Sequence, residues 1–208
     1  MSRKWNREIY YWLLLVMKVI TKKKRVITGD ESWFFQYDPE TKRQSQQWLS
    51  PGAPRPKKAR MSKSKVKTML ICFFDSKGVV HKEFVPPGQT VNQVFYRNVL
   101  EKLRKRVLRV RPEIAKTWVL HHDNAPCHSA FSVSQFLASK GIATLPQPPY
   151  SPDMSPCDFF LFPHMKKFVK GRHFDSVEDI QESVTRVLGE VPQEVFQNCY
   201  ENWKTRWN

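Results

Sequence analysis

Acidic residues are scarce in this chain: 19 Asp and Glu face 35 Lys and Arg over 208 residues, for a net charge of +16. The shortage is uneven. Residues 1–70 hold 17 basic side chains against 5 acidic ones, a balance of +12, and the remainder adds only +4. A basic excess confined to one region suits a polyanion, most often nucleic acid; the plainer reading is a solvated charged face. Cysteine is also sparse. Cys72, Cys127, Cys157 and Cys199 are scattered without a CxxC pair, which argues against a disulfide framework and suits a reducing compartment. Long apolar runs are missing too. The run "IYYWLLLVMKVI" at 9–20 is too short to span a bilayer, and no small-residue cleavage site follows its basic flank. It reads as a buried or amphipathic helix, and no membrane partner is expected. No internal repeat is present.

What is there points to a packed globular domain. The length suits one domain, with or without appendages, and buries roughly 70% of its unfolded surface; seven Trp and fourteen Phe supply core material. "VITGD" and "WFFQY" (33–37) read as two short strands broken at Gly29-Asp30. "TMLICFFD" and "VVHKEFV" bracket the turn-like Ser76-Lys77-Gly78 and read as a hairpin. Val91, Val94, Phe95, Val99, Leu103 and Val107 mark a helix over about 91–110. Next come a strand at 117–123, a helix at 129–140, a short strand "IATLP" and a helix at about 157–169. Two closing helices begin at Asp175 or Ser176 and near Pro192. Hairpins first and βαβ units afterwards imply an α/β fold, a mixed sheet with helices on its faces. Between the strands, residues 38–67 are rich in Pro, Ser, Lys and Arg, and a structureless insertion of that length is usually functional. Arg43, Arg55, Lys57, Lys58, Arg60, Lys63 and Lys65 suit that loop to a phosphate backbone.

Three aspartates stand at structured positions. Asp30 follows "VITG", Asp123 follows "WVLHH", and Asp158 opens the helix after "QPPYSPDMSPC". Each alone has a dull explanation as a turn, loop or cap residue. Gathered together, three carboxylates suit hard divalent cations such as Mg²⁺, which prefer oxygen ligands. The stretch "HHDNAPCH" around Asp123 also raises a zinc site. Its four N and S donors are packed too tightly for the usual spacing, and strand alternation sends His121 and His122 to opposite faces. His122 and His128 read instead as supporting or structural residues, and Asn124 as a group that orients the aspartate or approaches a phosphate.

"VITGDESW", "HHDNAPCH" and "PPYSPDMSPCDFFLFP", with 34 residues between Asp123 and Asp158, resemble the catalytic domain of mariner-family DNA transposases. "DPETKRQSQQW", "PGQTVNQVFY" and "HFDSVEDIQ" add to the likeness, which runs from about residue 25 to 207. The resemblance implies an RNase H-like (retroviral-integrase-type) fold and metal-dependent cleavage and strand transfer of double-stranded DNA in the nucleus. It further implies two Mg²⁺ (or Mn²⁺) ions held by Asp30, Asp123 and Asp158. Residues 38–67 would then be a clamp-like loop reaching a partner subunit in a homodimer. The family's helix-turn-helix region finds no counterpart in residues 1–24, an atypical helical segment before a catalytic domain at 25–208. A truncated copy is expected on this reading, binding DNA with little sequence preference; an idle or repurposed DNA-binding module is the alternative.

Overall fold

A computed structural model describes residues 25–54 and 61–207. The N-terminal segment at 1–24, with its expected helix, and the loop cations Arg55, Lys57, Lys58 and Arg60 lie outside the described residues. Five strands form one mixed sheet in the order β3-β2-β1-β4-β5: β1 (Val26–Phe35), β2 (Lys67–Asp75), β3 (Gly78–Val85), β4 (Val119–His121) and β5 (Ala143–Leu145). The first three are antiparallel, whereas β4 and β5 run parallel to β1. The expected hairpin is present. The expected break at Gly29-Asp30 is not, because both expected strands belong to the single strand β1.

Gly29 explains the continuity. It pairs directly with Phe73 of β2, and a Cβ there would fall within the Phe73 ring. The glycine makes room for an aromatic on the neighbouring strand; it does not make a turn.

Alternation along the strands divides the core in two. Val26, Phe34, Leu70, Cys72 and Phe74 face one layer of helices: α3 (Phe162–Val169), α4 (Val177–Gly189) and α5 (Gln193–Arg206). Ile27, Ile71 and Phe73 face α1 (Gln93–Val110) and α2 (Phe131–Ser139) on the other side. The buried stripe of α1 is Tyr96, Val99, Leu100, Leu103 and Val107. Val94, expected in that stripe, is exposed. Ser176 caps α4 in a reciprocal capping box with Asp179. No helix among the described residues is long and apolar enough to cross a membrane.

Two contacts of α5 steady the segments that carry Asp30 and Asp158. The Tyr200 hydroxyl donates to the Val26 carbonyl at 2.8 Å, fixing the helix against the start of β1. Trp203 Nε1 donates to the Met154 carbonyl at 2.8 Å, holding the Pro-rich loop just ahead of Asp158.

The loop at 38–67 has a pinned base. Gln36 and Tyr37 pair with Val66 and Ser64, and Gly171 N–H donates to the Asp38 carbonyl at 2.8 Å. Tyr37 stacks on His173 with centroids 4.0 Å apart. Beyond this base, residues 46–54 and 61–63 are exposed and form neither helix nor strand, and the Trp48 side chain is fully in solvent.

Candidate active site

Parallel pairing of β1 with β4 sets Thr28 beside His121. Asp30 stands two residues beyond the first of these, and Asp123 two beyond the second. Asp30 is still within β1, whereas β4 has ended at His121 and Asp123 opens the loop after it. Asp158 arrives from the other side of the cleft. It lies in a single π-type turn, Cys157–Leu161, that leads into α3, and such wide turns recur at functional sites.

The three carboxylates feel one another. Burial pushes the Asp30 carboxyl up to about 8, and the charges of Glu31, Asp158 and Asp123 add to the effect. Asp158 is raised by burial and by Asp123, with a hydrogen bond from Ser155 opposing. Asp123 goes the other way: its hydrogen bond from His128 holds it below the usual carboxylate range despite partial burial.

His128 is the centre of this arrangement. It is buried, with Nδ1 2.6 Å from Asp123 Oδ1 and Nε2 3.3 Å from Glu31 Oε1. Burial alone would lower its pKa, but the bonds to Asp123 and Glu31 outweigh burial and lift it to about 10. The ring is therefore an imidazolium that donates from both nitrogens. Tyr96 lies 4.0 Å from it, centroid to centroid, and His122 stacks at 5.2 Å. His122 in turn bonds the Tyr96 hydroxyl at 2.9 Å; burial and the neighbouring His128 hold it down at about 4, so it is neutral.

The two adjacent histidines do face opposite sides of the sheet. His121 bonds Thr28 Oγ1 at 2.9 Å and meets the edge of Trp203 beneath α5, away from His122. That separation removes the zinc reading. Asn124 bonds the Gln147 carbonyl at 2.8 Å and so ties the loop after β4 to the Pro-rich loop; its amide does not touch the aspartate.

Among the described residues, no three Asp, Glu, His or Cys side chains are already close enough to hold one ion. The carboxylates are gathered but not closed round a centre. Their chemistry nonetheless fits a hard cation. Asp30 uses Oδ1 to accept from Glu31 N–H at 2.7 Å, and Asp123 uses Oδ1 for both Ala125 N–H and His128. Oδ2 of each has no hydrogen bond among the described residues, so each carboxylate is anchored by one oxygen and offers the other.

Asp158 also forms part of a basic groove. Its other walls are the start of the long loop, with Thr41, Arg43 and Gln44, and α3 with its C-terminal flank, carrying Lys166, Lys167 and Lys170. On the opposite side, Asp123, Asn124, Tyr150 and Asp158 line a second cleft. Tyr150 is fully exposed there and holds a left-handed backbone, φ 53°, which is uncommon for a bulky residue. Of the other loop cations, Lys63 pairs with Asp38 at 3.5 Å and sits over the Phe35 ring, while Lys65 lines a separate cleft with Trp33 and Lys67.

Sequence reasoning missed Glu31, Tyr96 and the three lysines of the groove. The lysines had a signal, since Lys166, Lys167 and Lys170 come after the third aspartate at helical spacing. Glu31 and Tyr96 had none, because their partners lie far away in the chain.

Residues 38–117 match the family model described as Transposase (partial DDE domain). The chain is similar to the Mariner Mos1 transposase of Drosophila mauritiana, at 33% identity over 186 residues, which cover 88% of this chain and 53% of that protein. It is also similar to the Histone-lysine N-methyltransferase SETMAR of Homo sapiens, at 29% identity over 188 residues, 88% of this chain and 27% of that one. The chain thus spans about half the length of the first relative and less of the second. Among solved structures, the catalytic domain of Mos1 mariner transposase superposes with a TM-score of 0.75 at 26% identity, covering 100% of this chain and 94% of that domain. The Mos1 mariner paired end complex with Mn gives a TM-score of 0.82 at 30% identity, covering 99% of this chain and 62% of that one. The Mos1 paired-end complex with left transposon end gives 0.81 at 29% identity, with coverage of 100% and 62%.

Proposed function

We propose that this chain, a homologue of the mariner transposase catalytic domain with that domain's RNase H-like fold, cuts DNA and joins it to a target using Asp30, Asp123 and Asp158 as ligands of divalent cations. The observation that carries this reading is the convergence of three partly or largely buried carboxylates, two of them anchored by one oxygen each, beside a groove walled by lysines. When bound, two divalent cations would activate the attacking water and stabilise the leaving oxygen of a phosphodiester. The manganese complex of the related Mos1 transposase supports the choice of ion.

The protein's own groups do the rest. Arg43, Lys166, Lys167 and Lys170 attract the phosphate backbone along the groove and bring a phosphodiester to Asp158. Asp30 resists ionisation without a counter-charge, so a cation would bind there with release of its proton. His128 keeps Asp123 ionised and fixed. Hydrolysis leaves a 3′-OH on one DNA end, and attack of that hydroxyl on a target phosphodiester displaces a second 3′-oxygen as the new bond forms.

The paired-end complexes of the Mos1 relative support a double-stranded DNA partner and a homodimer. The long loop, exposed beyond its pinned base and carrying Trp48 in open solvent, suits a partner subunit's surface. Acting on chromosomal DNA, such a protein works in the nucleus. Nothing in the geometry favours an idle module.

The test is nicking of supercoiled plasmid by the purified protein with Mg²⁺ or Mn²⁺. Asp123→Ala should abolish nicking and leave DNA binding in chelator intact. A variant that nicks at the wild-type rate contradicts the assignment.

A further inference from the structure

We infer that Glu31 is a positioning residue for the metal ligands, acting through His128 on Asp123. The inference rests on the metal-site reading and adds a residue to it.

Neighbouring residues of a strand point to opposite faces. Asp30 is turned toward Asp158, while Glu31 is turned toward His128 of the loop after β4, which packs against Tyr96 of α1. Glu31 Oε1 meets His128 Nε2 at 3.3 Å, and His128 Nδ1 meets Asp123 Oδ1 at 2.6 Å. Together with the Asp30–Glu31 peptide, these two bonds form a continuous brace between the carboxylate in the middle of β1 and the one just past the end of β4.

The brace has no slack. The imidazole is only 2% exposed, with the Tyr96 ring tilted against it at 4.0 Å and His122 stacked on it at 5.2 Å, so it has little room to swing to another partner. Both of its nitrogens are spent on holding carboxylates. An acid at this strand position is also costly, since strands disfavour Glu. A role in holding Asp123 for the ion accounts for that cost. Groups that orient a ligand from behind in this way typically change metal affinity by about 10–100-fold when removed.

The test is Mn²⁺ affinity, read as free Mn²⁺ by electron paramagnetic resonance, with melting temperature measured in parallel. Glu31→Ala should weaken Mn²⁺ binding by about 10–100-fold. Glu31→Asp keeps the charge but is one methylene too short for His128, and it should show a similar loss. Glu31→Gln still offers an oxygen to Nε2 and should restore most of the affinity. Glu31→Ala that melts lower yet binds Mn²⁺ like the wild type makes Glu31 merely structural and overturns the inference. Should Glu31→Ala fail to fold, wild-type affinity in Glu31→Asp overturns it equally. A wild-type protein that binds no Mn²⁺ refutes the metal-site reading itself, a different outcome from a wild-type site indifferent to Glu31.

Discussion

Gly29→Ala would put one methyl group where the structure has no room for it. Gly29 faces Phe73 across the β1–β2 pair, and the added Cβ would lie inside the Phe73 ring. That ring is 0% exposed in the core beneath α1, so it cannot move aside without disturbing its neighbours. Overpacking of this kind costs about 1–3 kcal/mol, and direct overlap with a fully buried ring belongs at the upper end. Relief of glycine's backbone entropy returns about 0.5–1 kcal/mol. The net is a loss of about 2 kcal/mol, which for a chain of this size lowers the melting temperature by about 4–8 °C. Thermal unfolding in chelator measures it without interference from bound ions. The partner mutation supplies the control: with Phe73→Ala already present, Gly29→Ala should cost almost nothing, giving a coupling of about 2 kcal/mol between the two sites. Unchanged melting in Gly29→Ala, or additive losses in the double mutant, would refute the argument that Phe73 is why residue 29 is glycine.

Three further outcomes are expected. In chelator, the Asp30 carboxyl, raised to about 8 mainly by burial with Glu31 and Asp158 adding, keeps its proton in the folded state where the unfolded chain has lost it. Stability from this source is full below the unfolded value near 4 and is lost as pH rises toward 8, so the melting temperature should fall over that range and Asp30→Asn should flatten the fall; an unchanged slope contradicts it. His128, raised to about 10 by Asp123 and Glu31 against the effect of burial, adds a loss of the same sign that begins near its unfolded value of 6.5, and Asp30→Asn leaves that part in place. Replacing Lys166, Lys167 and Lys170 by Ala should reduce the salt dependence of DNA binding, measured by fluorescence anisotropy, by roughly 2–3 in log–log slope; an unchanged slope removes the groove as the DNA path. Ser176→Ala removes the side-chain half of the capping box on α4 and should cost about 1 kcal/mol in urea unfolding, whereas no change would place the helix start elsewhere.

Local patterns in the chain carry much of this structure. The β2–β3 hairpin arises from two apolar runs around Ser76-Lys77-Gly78, and α4 from Ser176 ahead of a stripe at helical spacing. His121 and His122 diverge because strand alternation requires it. Reading failed where a residue answers to a distant partner. Gly29 looks like a strand end until Phe73, 44 positions away, is placed against it. Val94 has helical spacing yet is exposed, because the buried face of α1 is turned to Tyr96 and Leu100. Glu31 looks like an ordinary charged strand residue, and its partner His128 lies 97 residues further on. The three aspartates were legible as candidates from their settings. That Asp123 is tied by one oxygen and Asp158 sits in a π-type turn was not, since both depend on how loops close over the finished sheet.

The central claim is that Asp30, Asp123 and Asp158 jointly hold the ions that cut DNA, and anomalous diffraction from Mn²⁺-soaked crystals tests it most directly. The account predicts anomalous density between these carboxylates, touching Asp30 and Asp123 through the oxygens left free by Glu31 N–H and His128, and lost in Asp123→Ala. Manganese bound elsewhere on the protein, with that space empty at saturating concentration, would contradict it.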